Sequence, residues 1–227
     1  MIFELLASGV SQRRTARLLR IQRKTVARRL IFLGSLCRKK LLIETALTEV
    51  KELQFDDLET FEHTKLKPVS VALAVVGGSR QILGVGVASM SAKGLLVKKS
   101  LKKYGRRKDE RSAVRKALFK AIAPSLTKDA VIKSDSNPYY VKDVKRYFPG
   151  RVHETCIGQR GAITGQGELK KIGYDPIFSL NHTCAMLRAN IARLIRKTWC
   201  TTKKRERLSD HLAIYSHYHN QQLKKAA

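Results

Sequence analysis

The sequence predicts an α/β protein in which a mixed sheet flanked by helices follows a small all-α unit. Two observations carry this prediction. Apolar residues recur at helical spacing through the first 36 residues, whereas short β-prone runs bounded by Gly, Pro or charge begin at Val50. With 227 residues, of which 43% are hydrophobic, the chain is also long enough to bury a core of its own.

The amino-terminal unit is predicted to contain three helices. Residues 2–7 form the first, Gly9 interrupts it, and Ser11 is a favourable N-cap for a second helix over 12–20. A third is predicted over 23–33, where three apolar residues recur at helical spacing: Val26, Leu30 and Leu33. Helices joined by such short turns are typical of a helix-turn-helix.

The third helix is basic along its outer positions, which suits a helix that enters the major groove of DNA. Its polar and cationic residues are Gln22, Arg23, Lys24 and Arg28. We expect them to contact base edges or phosphates, and the alternative is a solvated basic face on an ordinary helical hairpin. A weaker helical pattern over 38–51 is expected to join this unit to the sheet.

The change in periodicity divides the chain into four parts. We expect a helix-turn-helix domain at 1–36, a linker helix at 37–49, an α/β domain at 50–223 and a basic tail at 224–227. No apolar run approaches the roughly 20 residues of a membrane helix. We therefore expect no membrane partner, and expect the protein to work inside the cell.

Five strands are predicted in the larger domain, over 50–55, 69–76, 82–88, 131–134 and 151–157. The run 71–76 is almost entirely apolar, as in a central strand covered on both faces, and Gly77-Gly78 is expected to turn the chain into the next strand. Helices are predicted over 110–122, 139–148 and 180–199. Three antiparallel strands followed by alternating helices and strands make a mixed sheet.

The charge balance narrows the function. Lys and Arg number 46 against 18 acids, and the resulting net charge of +28 favours a long polyanion over a small metabolite. Asp56 and Asp135 each follow an apolar strand, and carboxylate oxygens are the ligands that Mg²⁺ prefers. Asp57 is the nearest rival of Asp56, but adjacent strand residues point to opposite faces, so we expect only one of them in a site.

These features resemble the DDE transposases of small bacterial insertion sequences, of the IS-one type and its relatives. Three features carry the resemblance: the order of strands, hairpin and helices around Asp56 and Asp135, the segment 55–61, and the segment 187–198. It implies a ribonuclease-H-like catalytic domain at 50–223 behind the helix-turn-helix. Relatives often carry a cysteine-rich zinc-binding segment before that unit, so a truncated product or an internal start is a further expectation.

The resemblance implies metal-dependent cleavage at the ends of a mobile element and joining of the freed 3′-hydroxyl to target DNA. The implied cofactor is Mg²⁺ or Mn²⁺, as two ions that activate the nucleophile and stabilise the leaving group. The implied partners are double-stranded DNA, as terminal repeats and target, and further copies of the chain in a homo-oligomer. By the same analogy the host is bacterial, and the protein is cytoplasmic and nucleoid-associated.

The implied catalytic residues and metal ligands are Asp56, Asp135 and a third residue on the late helix. Most relatives have Glu there, whereas this chain has Asn181. An Asn carbonyl can bind a hard cation but adds no charge, so metal affinity is expected to fall unless another acid helps. Glu168, at 168 − 135 = 33 residues after Asp135, is the alternative third ligand, and its other interpretation is a solvated acid beside lysines.

Two further basic segments are expected to bind DNA. One is the late helix, with Arg188, Arg193, Arg196 and Lys197, and the other is 98–108. A solvated charged surface is the alternative for each. Two other functions also remain open: a catalytically inactive transposase-derived DNA-binding regulator, in which Asn181 marks decay of the site, and a structural nucleic-acid-binding protein.

Overall fold

A computed structural model describes residues 1–157, 175–194 and 201–226. The helices are α1 (Ile2–Ala7), α2 (Gln12–Leu18), α3 (Arg23–Ala46), α4 (Leu96–Tyr104), α5 (Arg111–Ile122), α6 (Pro138–Tyr147), α7 (Phe178–Asn190) and α8 (Arg205–Ala226). The strands are β1 (Val50–Phe61), β2 (Pro68–Val76), β3 (Ile82–Ser89), β4 (Leu126–Asp135) and β5 (Val152–Cys156).

The strands form one mixed sheet in the order β3-β2-β1-β4-β5. The first three are antiparallel neighbours, and the β2–β3 hairpin turns through Gly78, whose φ of +75° suits a residue without a Cβ. Strands β4 and β5 run parallel to β1, which requires the helical crossovers that precede each of them. The predicted α/β class and mixed sheet are confirmed, and the sheet is compatible with a ribonuclease-H-like fold.

The sheet buries a hydrophobic core on each face. Helices α5 and α6 cover one face, where Phe55 packs against Phe119 and Tyr140. Helices α3, α7 and α8 cover the other, which includes Leu58 and Leu73. Because both faces are covered, β2 is apolar at successive positions rather than at alternate ones.

One long helix, α3, replaces the two helices predicted over 23–33 and 38–51. That prediction is wrong because α8 covers α3 along its length, so buried residues recur without a break. They are Val26, Leu30, Gly34, Cys37, Leu41 and Thr45. Leu6 and Ala16 of the first two helices belong to the same core as the sheet residue Leu73. The division into domains at 1–36 and 50–223 stays a prediction.

The late helix is shorter than predicted, because α7 ends at Asn190 rather than near residue 199. Ile191 adopts an extended conformation, and both it and Leu194 turn into the core. The carbonyl of Asn190 has no partner within the helix because it lies in the last turn. It instead accepts a hydrogen bond from the N–H of Gly9 at 2.7 Å.

Two helices were not predicted from the sequence, α4 in the basic segment 98–108 and α8 near the carboxyl end. Strands β1 and β4 are also longer than predicted: β1 pairs with β2 as far as Phe61, and β4 begins at Leu126. None of the described helices is both long and apolar enough to cross a bilayer.

Gly34 allows α3 and α8 to approach closely, and replacing it tests this contact. A Cβ at this position would lie 2.5 Å from the Asp210 Cβ and 2.7 Å from its Cα. Gly34→Val is therefore expected to lower the free energy of unfolding by about 2 kcal/mol or more, measured by urea denaturation. Ser35→Val places the same side chain on the exposed neighbour and is expected to cost less than about 0.5 kcal/mol. Equal stabilities of the two variants would contradict this contact.

Candidate active site

Parallel pairing of β1 with β4 brings Asp56 next to Asp135. Phe55 lies opposite Ser134 in the register, so the following residue of each strand is an aspartate. Side chains at paired positions of neighbouring strands project from the same face of the sheet. Strand β4 ends at Asp135, while β1 continues to Phe61 by pairing with β2 alone. The two carboxylates therefore meet where the parallel pairing stops.

The carboxylate of Asp56 is partly buried and receives two hydrogen bonds. The N–H of Asp57 donates to Oδ1 at 2.6 Å, and the hydroxyl of Tyr140 donates to the same oxygen at 3.0 Å. Burial raises the pKa of Asp56 to about 6, the charge of Asp135 adds to this rise, and the two hydrogen bonds oppose it. A cation bound between the two acids would relieve their repulsion.

Asp135 is oriented by the turn that converts β4 into α6. Its Oδ1 accepts a hydrogen bond from the N–H of Asn137 at 3.0 Å, and Oδ1 of Asn137 accepts one from the N–H of Tyr139 at 3.1 Å. Pro138 is the first residue of the helix, where the N–H that it lacks would have no partner. The local sequence thus fixes Asp135 at the strand end.

Asp57 projects from the opposite face of β1, as strand alternation requires. Its Oδ2 accepts a hydrogen bond from Arg115 of α5 at 2.8 Å, and the same guanidinium donates to Asp143 of α6 at 2.8 Å. Arg115 is only 6% exposed, so this bridge fixes both helices against the strand from inside. Because Asp57 takes part in this bridge on the opposite face, Asp56 is the acid of β1 that lies beside Asp135.

Tyr140 connects the two sides of β1. Its ring is 1% exposed, with its centroid 4.9 Å from that of Phe55 and 5.1 Å from the guanidinium carbon of Arg115. Burial raises the pKa of Tyr140, and neighbouring carboxylates add to the effect, so the hydroxyl stays protonated and donates to Asp56. Tyr140 was not among the residues predicted from the sequence, although its spacing of four from Val144 marks the buried side of α6.

Gln54 attaches α7 to the strand that carries Asp56. Its Oε1 accepts a hydrogen bond from the N–H of Leu180 at 3.0 Å, and its Nε2 donates to the carbonyl of Pro176 at 3.3 Å. Gln54 precedes Asp56 by two residues, so α7 lies on the face of the sheet that holds the acids. Cys184 lies there too: burial raises the pKa of its thiol to about 12, and the charge of Asp56 contributes.

Asn181 is exposed in the first turn of α7. Its Nδ2 donates to Oδ2 of Asp175 at 2.8 Å, which leaves its carbonyl oxygen as the atom able to bind a cation. Asp175 also accepts a hydrogen bond from the N–H of Ile177 at 3.0 Å, and its charge helps burial to raise the pKa of Cys156, the residue opposite Asp135. Asp175 was not among the residues predicted from the sequence, although an Asp-Pro step before a helix could have indicated it.

Two of the expected metal ligands are brought together, because Asp56 and Asp135 offer carboxylate oxygens at neighbouring positions on one face of the sheet. The third, Asn181, lies in the first turn of α7, and its nearest acid is its hydrogen-bond partner Asp175. Across residues 1–157, 175–194 and 201–226, no three His, Cys, Asp or Glu side chains are grouped so that they could hold a metal ion. A third ligand would have to be an amide or come from elsewhere in the chain, and Glu168 lies outside the described residues.

The residues expected to contact DNA from the amino-terminal unit lie at the start of α3. Ser11 accepts a hydrogen bond from the N–H of Arg14 at 3.3 Å to begin α2, and residues 19–22 then connect α2 to α3. Gln22 is the N-cap of α3. All four residues in question are exposed: Gln22, Arg23, Lys24 and Arg28. They are thus accessible to a nucleic acid.

The cations expected on the late helix do not share one helix, because α7 ends at Asn190. Arg188 is exposed in its last turn. Arg193 lies beyond the helix and is partly buried, and its pKa is lowered by burial and by the charge of Arg207. Two further predicted contacts, Arg196 and Lys197, lie outside the described residues.

Helix α4 carries exposed lysines and packs against the connection between β1 and β2. The lysines are exposed and comprise Lys98, Lys99, Lys102 and Lys103. On the other side of the helix, the hydroxyl of Ser100 donates to the carbonyl of Leu66 at 2.7 Å. Leu66 belongs to the connection between β1 and β2, which follows β1 beyond Asp56. The helix therefore lies beyond the carboxyl end of β1 at Phe61, five residues after Asp56.

No protein-family model matches the chain, and a search of curated proteins finds no significant match. A functional assignment therefore depends on the arrangement of the residues themselves.

The raised pKa of Asp56 predicts how stability changes with pH. The folded protein keeps this proton up to about pH 6, whereas an unfolded Asp releases it near pH 4. The folded state therefore binds more protons between these values, and its stability falls as the pH rises. Asp56→Asn removes that loss and keeps an acceptor for Tyr140. Without metal, we expect the variant to exceed the original protein in stability by about 2 kcal/mol near pH 7.5, and by less than about 1 kcal/mol near pH 4.5.

The measurement is urea unfolding of both proteins at the two pH values. Glu49→Gln neutralises an exposed carboxylate just before β1 and serves as the control, with an expected change below about 0.5 kcal/mol at either pH. A variant at Asp56 that is no more stable than the original protein near neutral pH would contradict the burial of a charge at this position.

Proposed function

We propose that this protein is a metal-dependent DNA transposase that cleaves and joins strands at the ends of a bacterial insertion sequence. The observation that carries the proposal is the adjacency of Asp56 and Asp135 on one face of the sheet, in a chain of net charge +28. Paired carboxylates suit divalent cations, and the excess of Lys and Arg suits a polyanionic substrate. The protein would act in the cytoplasm, on nucleoid DNA and as a homo-oligomer.

The architecture supports this proposal. Three antiparallel strands followed by two parallel ones, in the order β3-β2-β1-β4-β5, are compatible with the ribonuclease-H-like catalytic domain of DDE enzymes. The acids lie on β1 and β4, which are neighbours within the sheet rather than its edges. Helices α2 and α3 would form the helix-turn-helix domain that holds the terminal repeats.

Two Mg²⁺ or Mn²⁺ ions would be held by Asp56, Asp135 and a third ligand, which is the carbonyl of Asn181 or the carboxylate of Glu168. Bound ions would activate the attacking hydroxyl and stabilise the leaving oxygen. Phosphoryl transfer of this kind needs no covalent protein intermediate, and the protein's task is to position the groups and neutralise charge.

The chain's own groups prepare the two carboxylates for that task. The hydroxyl of Tyr140 and the N–H of Asp57 hold one oxygen of Asp56, and the N–H of Asn137 holds one oxygen of Asp135. Each carboxylate is therefore oriented before a ligand arrives, so less freedom is lost when one binds.

Contacts with DNA would come from three parts of the chain. Gln22, Arg23, Lys24 and Arg28 would bind the terminal repeat through α3, and Arg188 would hold phosphates beside α7, with Arg193, Arg196 and Lys197 as further candidates. The lysines of α4 are exposed beyond the carboxyl end of β1, and we expect them to hold phosphates of the bound DNA.

A catalytically inactive DNA-binding regulator is the second candidate, and one observation favours it. Asn181 brings no charge, and its amide nitrogen is bound to Asp175. Such a protein would bind the terminal repeats selectively through α3 without cutting them. A structural nucleic-acid-binding protein would instead bind with a steep salt dependence and little selectivity.

The decisive test is gel-resolved cleavage and joining of labelled DNA that carries the terminal repeats flanking the gene. With Mg²⁺ or Mn²⁺, we expect nicking at the repeat end, and we expect at least a 1,000-fold loss in Asp135→Ala and Asp56→Ala because both remove metal ligands (order of magnitude). Selective binding without nicking under either metal would instead support the regulator.

The third ligand is assigned by comparing Asn181→Ala, Glu168→Ala and Asp175→Ala in the same assay. The ligand is the residue whose loss abolishes nicking while repeat binding stays intact. A small effect from Asn181→Ala with a large one from Glu168→Ala would reject the Asp-Asp-Asn arrangement. Asp175→Ala tests whether the acid beside Asn181 supplies charge to the site.

Tyr140→Phe removes only the hydroxyl that holds Asp56. Because groups that orient metal ligands govern affinity, we expect Mn²⁺ affinity by calorimetry and the nicking rate each to fall by roughly 10- to 100-fold. The free energy of unfolding should change by only about 1 kcal/mol, the contribution of one hydrogen bond. Tyr139→Phe changes the exposed neighbour and is the matched control. Unchanged Mn²⁺ affinity in Tyr140→Phe would contradict this orienting role.

A further inference from the structure

A cleft beyond the carboxyl end of β1 is lined by more cations than acids. It has a volume of about 410 Å³ and lies where the ends of β1 and β3 meet the starts of α5 and α8. Its charged lining comprises four cations, Lys67, Arg107, Lys108 and Arg205, and two acids, Glu62 and Glu110. We call it the Arg107 cleft. It is separate from the candidate active site, because β1 continues for five residues after Asp56, a length of about 16 Å.

Both acids of the Arg107 cleft already have cationic partners. Glu110 accepts a hydrogen bond from Arg205, and its Oε2 also accepts one from the N–H of Ser89 at 3.2 Å. Oε2 of Glu62 lies 4.0 Å from Nζ of Lys67. These pairs neutralise two of the four cations. The positive charge of the other two, at positions 107 and 108, is left in excess.

Arg107 is partly buried, yet it forms no ion pair with a carboxylate in the part of the chain that the structure describes. Its Nη2 donates to Oγ of Ser89 at 2.9 Å and to the carbonyl of Pro68 at 3.4 Å, and its enclosed Nε has no partner among the described residues. Burial lowers the pKa of Arg107, Glu62 opposes this shift, and the charge of Arg205 adds to it. Buried cations are normally paired with an anion, so the arrangement lacks one negative group.

The local chain places Arg107 in the cleft through a tight turn. Gly105 ends α4 with a φ of +69°, a conformation that suits a residue without a Cβ. Just after β3, the hydroxyl of Ser91 donates to the carbonyl of Arg107 at 3.3 Å. Backbone and guanidinium are therefore both fixed to the end of β3. A cation oriented in this way loses little freedom when it binds an anion.

Tyr104 forms one wall of the cleft and positions further cations. The centre of its ring lies 5.1 Å from Nζ of Lys67 and 5.6 Å from Nζ of Lys103, distances at which a ring attracts an ammonium group. The cations around the cleft thus come from three distant segments, near residues 67, 105 and 205. A run of neighbouring lysines is ordinary on a surface, but bringing like charges together from distant segments costs free energy.

We propose that the Arg107 cleft binds a phosphate group. Guanidinium groups match the oxygens of phosphate in both charge and hydrogen-bond geometry, and a net charge of +28 favours phosphate-rich ligands. The group has two sources: the backbone of bound DNA, or a free phosphate such as that of a nucleotide. The DNA source rests on the proposed function. The site itself does not, because residues other than the metal-binding acids form it.

Free phosphate is tested by calorimetry of the full chain with inorganic pyrophosphate, without metal and at constant ionic strength. Arg107→Gln is expected to lower the affinity roughly 10-fold, since it removes a charge-assisted hydrogen-bond donor. Arg106→Gln is the matched control: it removes the same charge from the exposed neighbour and should lower the affinity only about 2-fold.

DNA is tested by fluorescence anisotropy of a labelled duplex over a range of salt concentrations. In this assay Arg107→Gln should lower the affinity roughly 10-fold and reduce the salt slope by about one, again more than Arg106→Gln does. A larger effect of Arg107→Gln on DNA binding identifies the backbone as the source, and one on pyrophosphate alone identifies a free phosphate. If the two variants behave alike in both assays, the proposal is wrong. Neither assay needs cleavage, so the result stands apart from that of the nicking test.

Glu62→Gln separates ligand binding from folding, because it removes an acid from the cleft and leaves Arg107 and its hydrogen bonds in place. Phosphate should then bind about 3-fold more tightly, since less repulsion opposes it. Glu49→Gln changes the net charge equally at an exposed site outside the cleft, and should have a smaller effect. Circular dichroism checks that all variants are folded. Equal affinities of Glu62→Gln and Glu49→Gln would place the phosphate elsewhere and reject the site.

Discussion

The parallel pairing of β1 with β4 is the constraint on which the candidate site depends. Its register sets Asp56 beside Asp135, and two carboxylates so placed repel each other across a partly buried surface. The pairing survives because the opposite side of β1 is firmly held, where Arg115 bridges Asp57 and Asp143 and the ring of Tyr140 covers the guanidinium. The stability of one face of β1 thus keeps two repelling carboxylates together on the other face. Such an arrangement is expected at a binding site, where a bound ligand relieves the repulsion.

Local signals were enough to predict most of the sheet. Apolar runs between Gly, Pro and charge located every strand, and the glycines at 77 and 78 located the hairpin. The misplaced helix boundaries depend on distant contacts. Helix α3 continues through Gly34 because α8 covers it, and α7 stops at Asn190 because Ile191 and Leu194 turn into the core. The spacing of apolar residues within a segment does not show which distant part of the chain will pack against it.

The same distinction applies to the candidate site. Asp56 and Asp135 were predictable because each follows an apolar strand, and alternation alone separates Asp56 from Asp57. Tyr140 was not, since its hydroxyl acts on Asp56 only after α6 has folded back over β1. The position of a residue along the chain is therefore enough to identify the two acids. The groups that orient these acids come together only when the tertiary structure has formed.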